Sequence, residues 1–371
     1  MYDICARAIA LVLAIATASC WAQLDGYGST RGLQPVAVRL QRLWLHRSCS
    51  WRNAIGSQPT LLWFACSDGA LHAYAFVGVS SALYAFYGGA GSRCALLLAN
   101  CVYLSFDVIF NLNMPWDCLL LEAGWLAVLL PAPAPLYDAG GASAEAVHPA
   151  AAFLLRWLLF RLMFGFGRVK FTGTASTDRL YVRDFMILQP MPSKLGWLAH
   201  YLPLPVHRLL LNGMYLTEMI APFLLFVPRL ELPYGCEPSQ LAAALFIGLQ
   251  LGILAHGSFG HFNLLTAALA LPLLAPGGTP SLFAAFSSPP DTPLAVLSTA
   301  ALFFYIPLGL LHLPFGSGVS RSIGAYPAIS RWADEVDNGT GIGGDNADGG
   351  WWKKGLMKLL RILEPWRLIH A

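Results

Sequence analysis

The sequence is poor in charge. Only 12% of its 371 residues are Asp, Glu, Lys or Arg, whereas soluble domains carry roughly 25%. Hydrophobic residues make up 56% of the chain, and the mean hydropathy is +0.56. The net charge of +3 is small, and no long basic run with interleaved aromatic side chains occurs, which argues against nucleic acid as a partner. We therefore predict an all-α, polytopic transmembrane helix bundle.

The sequence also lacks the short motifs that mark common active sites. It has no G-x-S-x-G nucleophile elbow and no P-loop. None of the eight cysteines forms a C-x-x-C pair, and most lie in apolar runs, where a free cysteine behaves as a small hydrophobe. His256 and His261 are five residues apart, whereas helical zinc motifs place His at i and i+4 with a third ligand nearby. We predict no metal site, no cofactor and no enzymatic activity.

Long apolar runs supply the membrane segments. A spanning helix needs roughly 20 mostly apolar residues. The run at 4–22 looks like a signal peptide, but we interpret it as an uncleaved first membrane helix. We predict seven to nine segments in total, near residues 4–22, 71–87, 94–110, 118–130, 150–173, 206–227, 241–256, 259–274 and 294–313. The fourth, 118–130, is shorter than a full span.

The chain divides into two parts. Residues 1–315 form the predicted transmembrane domain, and residues 316–371 form a Gly/Asp-rich linker followed by an amphipathic basic helix. We expect that helix to lie on the membrane surface. Its anchors would be Trp351, Trp352, Lys353 and Lys354. A helix that binds a partner protein is the alternative.

One membrane segment carries four cations. Residues 150–173 contain Arg156, Arg161, Arg168 and Lys170. A cation at the bilayer centre costs about 2.5–3.5 kcal/mol on insertion scales, so each of these residues needs a partner or access to water. At 100° per residue, Arg161 and Arg168 share one helix face, and Arg156 and Lys170 share another.

Acidic residues in other apolar segments are the candidate counter-charges. We predict that Glu122 pairs with Arg156 or Arg161, with Asp107 as an additional candidate partner, and Glu218 is a further candidate. Arg168 and Lys170 are expected to reach the membrane interface. Buried pairs of this kind either hold helices together or mark a functional cavity, and both interpretations stay open.

Five blocks of sequence resemble a known family. They are YGSTRGLQP, PWDCLLLEAGWLAVLLPAP, RWLLFRLMFGFGRVKFTG with the following RDFMILQPMPSKLGWLAHYLPLPVHRLL, TEMIAPFLLFVPR, and GSFGHFNLLTAALALPLL. In this order, over about residues 20–315, they resemble the membrane region of the lipase maturation factors. The family-motif loop comprises Gln189, Pro190, Met191 and Pro192.

The resemblance implies a function. Lipase maturation factors are membrane proteins of the endoplasmic reticulum that help secreted dimeric lipases fold and assemble, without catalysing a reaction. The expected partners are therefore membrane lipids, which are also the ligands we expect to be bound, and a secreted lipase client.

A difference from the family that the sequence resembles suggests an alternative function. Family members continue into a C-terminal globular domain associated with client binding, and this sequence stops near residue 371, about where that domain would begin. The alternative is a structural accessory subunit that keeps only the membrane scaffold. Its partners would be other membrane protein subunits, for example those of a respiratory complex in the mitochondrial inner membrane.

Overall fold

The fold is helical throughout the part of the chain that the structure describes. The structure is a computed structural model, and it describes residues 1–46, 50–112, 114–138, 146–172, 180–189, 191–227, 235–275 and 280–315. Within these ranges there is no β-strand, and the β-type pairing consists of an isolated bridge between Pro192 and Gly257. The predicted all-α class is confirmed. The predicted tail, residues 316–371, lies outside the described residues.

Thirteen α-helices occur within the described ranges. They are α1 (Tyr2–Tyr27), α2 (Val36–His46), α3 (Trp51–Ser57), α4 (Asp68–Tyr87), α5 (Ser92–Phe110), α6 (Pro115–Ala127), α7 (Pro149–Thr172), α8 (Tyr181–Ile187), α9 (Leu204–Tyr215), α10 (Pro238–His256), α11 (Phe262–Ala270), α12 (Leu282–Ser287) and α13 (Pro293–Phe315). Short 3₁₀ turns lie at Leu61–Trp63, Leu136–Asp138, Gly196–Tyr201, Ala221–Phe226 and Leu271–Leu274, and a π-helical turn lies at Leu216–Ile220.

The described helices include enough apolar length for several membrane crossings. Six spans are long and apolar enough: α1, α4, α5, the Pro149–Lys170 part of α7, the continuous Leu204–Phe226 segment that begins with α9, and α10. Two shorter apolar helices, Phe262–Leu274 and Pro293–Pro307, bring the total from six to eight, within the predicted range. The chain is therefore an integral membrane protein.

Helix α6 is too short to cross a bilayer. It has 13 residues, which at 1.5 Å per residue is about 20 Å, against a hydrocarbon core of about 30 Å. It begins with Pro115, which favours a helix start because its missing N–H would be unsatisfied there in any case. Almost all of its side chains are buried, so α6 is an internal helix that brings polar groups into the bundle.

The bundle is built around α1 and α7. Helix α1 packs against α4, α5, α6 and α11, and α7 packs against α6, α11, α12, α13 and the 216–226 segment. Of the six spans, α7 is the most deeply buried. Helix α4, in contrast, leaves large apolar side chains such as Phe76 and Leu83 exposed, as expected for a surface in contact with lipid. The helix that carries the four cations is therefore the helix most removed from lipid.

Polar contacts fix the direction of the first helices. Arg7 of α1 donates to the carbonyl oxygens of Phe86 at 2.6 Å and Tyr87 at 3.0 Å, and also to that of Ala134. At the other end of α1, the Asp68 carboxylate accepts from the Thr30 backbone N–H at 2.8 Å and from its hydroxyl at 2.7 Å. Helices α1 and α4 are therefore antiparallel. We call the end of the bundle at which α1 begins its N-terminal end.

Candidate functional site: charges buried inside the bundle

Three helices meet at one buried carboxylate. Glu122 of α6 and Arg161 of α7 form an ion pair, and each side chain is 1% exposed. The Tyr305 hydroxyl of α13 donates to the same Glu122 oxygen, Oε1. The Arg161 Nη2 atom also lies 3.1 Å from the Tyr305 oxygen, and the guanidinium carbon is 4.7 Å from the centre of the Tyr305 ring. We call these three residues the buried triad.

A glycine allows α13 to approach the triad. A Cβ atom placed on Gly309 would lie 2.7 Å from Arg161 Cδ and 2.6 Å from Trp157 Nε1. Both distances are shorter than ordinary van der Waals contact, so a larger residue would push α13 away from α7. Gly309 lies four residues after Tyr305 and therefore on the same face of α13. The face of α13 that carries the Tyr305 hydroxyl is thus also the face that packs closely against α7.

The geometry of the triad favours a structural role. Two donors converge on one carboxylate oxygen, so the orientation of Glu122 is set by two neighbouring helices. Removing one partner of a buried ion pair costs about 3–5 kcal/mol because the other charge is left uncompensated. The contact connects α6, α7 and α13.

A second pair lies near the end of α7. The Lys170 Nζ atom is 2.5 Å from Glu218 Oε1 and 2.8 Å from Oε2. Glu218 is buried in the π-helical turn, whereas 20% of the Lys170 side chain is exposed. The ammonium of Lys170, which we predict to lie at the membrane interface, contacts a buried carboxylate, because the 216–220 turn packs directly against this end of α7.

Close packing at this second pair depends on Gly167. A Cβ atom on Gly167 would lie 2.8 Å from Glu218 Cβ and 2.9 Å from the sulfur of Met219. Gly167 therefore lets the backbone of α7 approach the π-helical turn, a common use of small residues in membrane helices.

Arg156 has a different environment. Its Nη1 donates to the Leu225 carbonyl at 3.1 Å and its Nη2 to the Pro280 carbonyl, and its guanidinium lies over the rings of Phe153 and Phe226 at 4.8 and 5.6 Å. Arg156 and Arg161 are five residues apart, so they point about 140° apart around α7. Arg161 faces α6, so Arg156 cannot reach Glu122, and the alternative pairing of Glu122 with Arg156 is not observed.

The remaining predicted residues lie elsewhere. Asp107 is fully buried on α5, and the arginine contacts described above do not involve it. Arg168 is half-buried on α7. Asp117, another acidic residue in an apolar segment, accepts a hydrogen bond from the Tyr103 hydroxyl at 2.5 Å. Tyr305 was missed in the sequence analysis, where its only signal is a hydroxyl within the last apolar segment.

The family-motif loop packs against the end of α10. Its backbone bonds connect the Ser258 N–H to the Met191 carbonyl and the Ser193 N–H to the His256 carbonyl, both at 3.0 Å. The amide group of Gln189 occupies the space where Gly257 has no side chain. Pro192 forms the isolated bridge with Gly257. The loop is thus held by backbone contacts to one helix end, while Pro190, Trp351, Trp352, Lys353 and Lys354 lie outside the described residues.

His256 and His261 each contact a backbone carbonyl. His256 Nδ1 lies 2.9 Å from the Gly252 carbonyl oxygen, and His261 Nε2 lies 3.3 Å from the Trp116 carbonyl oxygen. Among the described residues, no group of three or more His, Cys, Asp or Glu side chains is placed to hold a metal ion.

The fold and the buried charges together define a polytopic α-helical membrane protein whose central helix is fixed by internal polar contacts. Comparison with known sequences then identifies the family. Residues 2–277 match the family described as lipase maturation factor transmembrane domain. The chain belongs to the lipase maturation factor family.

Several characterised relatives are similar over most of this chain. Lipase maturation factor 2 of Homo sapiens is 31% identical over 365 residues, which covers 88% of this chain and 49% of the human protein. The Rattus norvegicus protein of the same name is 32% identical over 72% of this chain and 39% of its own length. Lipase maturation factor 1 of Bos taurus is 26% identical over 71% of this chain and 47% of its own length.

The chain spans about half the length, or less, of the curated relatives it matches. No solved structure matches it.

Proposed function

We propose that this protein is a non-enzymatic membrane scaffold that assists the folding and assembly of secreted lipases in the endoplasmic reticulum. The observation that carries the proposal is the family match over residues 2–277, which includes α1 to α11 and so most of the described bundle. Relatives that align with this region are named lipase maturation factors.

The buried ion pairs between helices support a role as a scaffold. In the buried triad, Glu122 is engaged by Arg161 and Tyr305, and Lys170 is engaged by Glu218. These residues connect helices that are distant in sequence. A bundle fixed in this way presents a constant surface, which suits a protein that holds clients or partners in place.

A gene-deletion experiment tests the lipase function. Cells that lack the protein should secrete a lipase with lower activity per molecule, and re-expression of the full chain should restore it. An unrelated secreted protein serves as the control and should be secreted normally. Unchanged lipase activity per secreted molecule in the deletion cells would contradict the proposal.

Co-purification distinguishes the scaffold from an accessory subunit. After mild detergent extraction, a chaperone should be recovered with newly made lipase in amounts that fall as the lipase matures. Recovery of the chain in a stable, stoichiometric complex with other membrane subunits, without any lipase, would support the accessory-subunit alternative and contradict the chaperone.

A further inference from the structure

A large cavity opens beside Arg156. Its volume is about 1200 Å³. Parts of α7, the Ala221–Phe226 turn, the starts of α1 and α10, α12 and α13 surround it. Its wall is rich in aromatic side chains, namely Phe153, Trp157, Phe160, Phe164, Phe223 and Phe226. The cavity is larger than the roughly 300–1,000 Å³ of most small-molecule sites.

The cavity contains a buried cation that contacts no carboxylate among the described residues. Arg156 lines the cavity and is only 6% exposed. Two of its nitrogens donate to the Leu225 and Pro280 carbonyls, while Nε is buried and has no hydrogen-bond partner. Carbonyl oxygens and aromatic rings carry only partial negative charge. A buried guanidinium with such neighbours retains a strong attraction for an anion.

The carboxylate of Glu237 also lines the cavity. Glu237 stands at the start of α10 and forms a reciprocal capping box with Gln240, in which the Glu237 N–H donates to Gln240 Oε1 at 2.9 Å. Its side chain accepts from the backbone of the first turn of α10. Among the described residues, the contacts of Arg156 are to carbonyl oxygens and aromatic rings and not to Glu237, so its positive charge remains available to a ligand.

Arg156 and the aromatic side chains that line the cavity lie at different depths along α7. The first residues of three helices, Tyr2, Pro149 and Pro238, line the cavity, which places one part of it at the N-terminal end of the bundle. Arg156 is seven residues beyond Pro149, about 10 Å along α7. Phe164 lies about 12 Å deeper. Arg156 therefore lies nearer the helix starts than Phe160 and Phe164, which extend the aromatic wall towards the middle of the membrane segment.

The cavity is partly open. Two apolar side chains in its wall, Phe223 and Leu310, are 50% and 53% exposed. In a membrane-spanning bundle, exposed apolar surface of this kind suits contact with acyl chains.

We propose that this cavity binds an anionic membrane phospholipid. The phosphate would contact Arg156, and the acyl chains would lie against the aromatic wall. Three observations select this ligand: Arg156 contacts carbonyl oxygens and aromatic rings but no carboxylate, the wall is rich in aromatic side chains, and apolar side chains of the wall are exposed. This binding site is independent of the proposed role in lipase folding.

The test is lipid binding by the purified full chain. After exchange into lipid-free detergent, phosphatidylglycerol should raise the melting temperature and remain bound in native mass spectrometry, whereas phosphatidylcholine should do so much less. Arg156→Gln should bind at least about tenfold less phosphatidylglycerol, equivalent to about 1.4 kcal/mol, since it loses a charge-assisted hydrogen bond. Arg183→Gln, a surface arginine 44% exposed beside Asp184, is the matched control and should bind normally.

A second variant separates lipid binding from folding. Ala284 lines the cavity and is only partly buried, so Ala284→Phe would fill the space and leave Arg156 in place. It should melt normally without lipid and lose the stabilisation by phosphatidylglycerol. Equal binding of phosphatidylcholine, full binding by both cavity variants, or stabilisation by inorganic phosphate alone would each overturn the proposal. The last result would identify a simple anion site.

Discussion

Glu122 and Arg161 show what a charge pair does when neither side chain can reach water. Both are 1% exposed, and they lie on helices that are separated by the 128–148 segment. The pair is therefore a tertiary contact between α6 and α7. A buried ion pair adds little to overall stability, but removing either charge is strongly destabilising because the other is left without a partner.

The first prediction concerns single substitutions in this pair. We expect Glu122→Gln and Arg161→Gln each to lower the free energy of unfolding by about 3–5 kcal/mol, because each leaves one uncompensated buried charge. Thermal melting of the purified protein in detergent measures the loss. Arg183→Gln is the control, since its side chain is 44% exposed. If both triad variants melt like the wild type, the pair does not hold the helices together.

The second prediction concerns the asymmetry of the Lys170–Glu218 pair. Glu218 is 4% exposed and Lys170 is 20% exposed. In Glu218→Gln the freed lysine can turn towards water, whereas in Lys170→Met the carboxylate stays buried without its partner. We therefore expect Lys170→Met to lower the melting temperature more than Glu218→Gln does. The reverse order would mean that the lysine, not the carboxylate, is the trapped charge.

At the scale of elements, α7 organises the bundle through two opposite faces. Arg161 contacts α6 and α13, while Arg156 and Lys170, fourteen residues apart, both contact the 216–226 segment. The spacing of the cations along the sequence already indicates these two faces. A single helix therefore connects the early helices, the 216–226 segment and the last described helix.

The third prediction tests the close approach of α7 to the π-helical turn. We expect Gly167→Ala to lower the melting temperature, because the added Cβ would lie within 2.9 Å of Glu218 and Met219 atoms. Gly248→Ala in α10 is the matched control, since nothing lies within 4 Å of its added Cβ. The control should be neutral or stabilising, because alanine favours a helix by up to about 1 kcal/mol over glycine. Equal melting of both variants would contradict the packing role of Gly167.

Sequence patterns locate the elements better than they locate their contacts. The apolar runs predict the spanning helices, and the cations mark α7 as unusual. The contacts of Arg156 could not be predicted, because the carbonyls of Leu225 and Pro280 leave no side-chain signal in the sequence. Tyr305 was missed for a related reason. A single hydroxyl in an apolar segment does not indicate a partner, and its contact with Glu122 depends on how α13 packs.

At the scale of the whole molecule, composition is enough to predict the class. Low charge and long apolar runs predict a polytopic membrane protein, and the described residues contain six long spans and two shorter apolar helices. The order of five sequence blocks indicates the family, which the match over residues 2–277 confirms. The roles of the buried residues cannot be read from the same patterns, because they depend on which helix faces are adjacent.

If the buried triad is structural, the scaffold should function without its charges. Replacing a buried ion pair by apolar residues of similar volume is often neutral or stabilising. The combined variant Glu122→Met, Arg161→Met and Tyr305→Phe should therefore melt near the wild type, whereas the single charge-removing variants melt at lower temperature.

The decisive measurement is the activity per molecule of lipase secreted by deletion cells that express this triple variant. Protein level and melting temperature are measured in parallel to establish that the variant is folded. We predict that it restores lipase activity as fully as the wild-type chain does. A triple variant that is made at normal levels, melts normally and fails to restore lipase activity would show that the buried charges act in function itself, and would contradict the account.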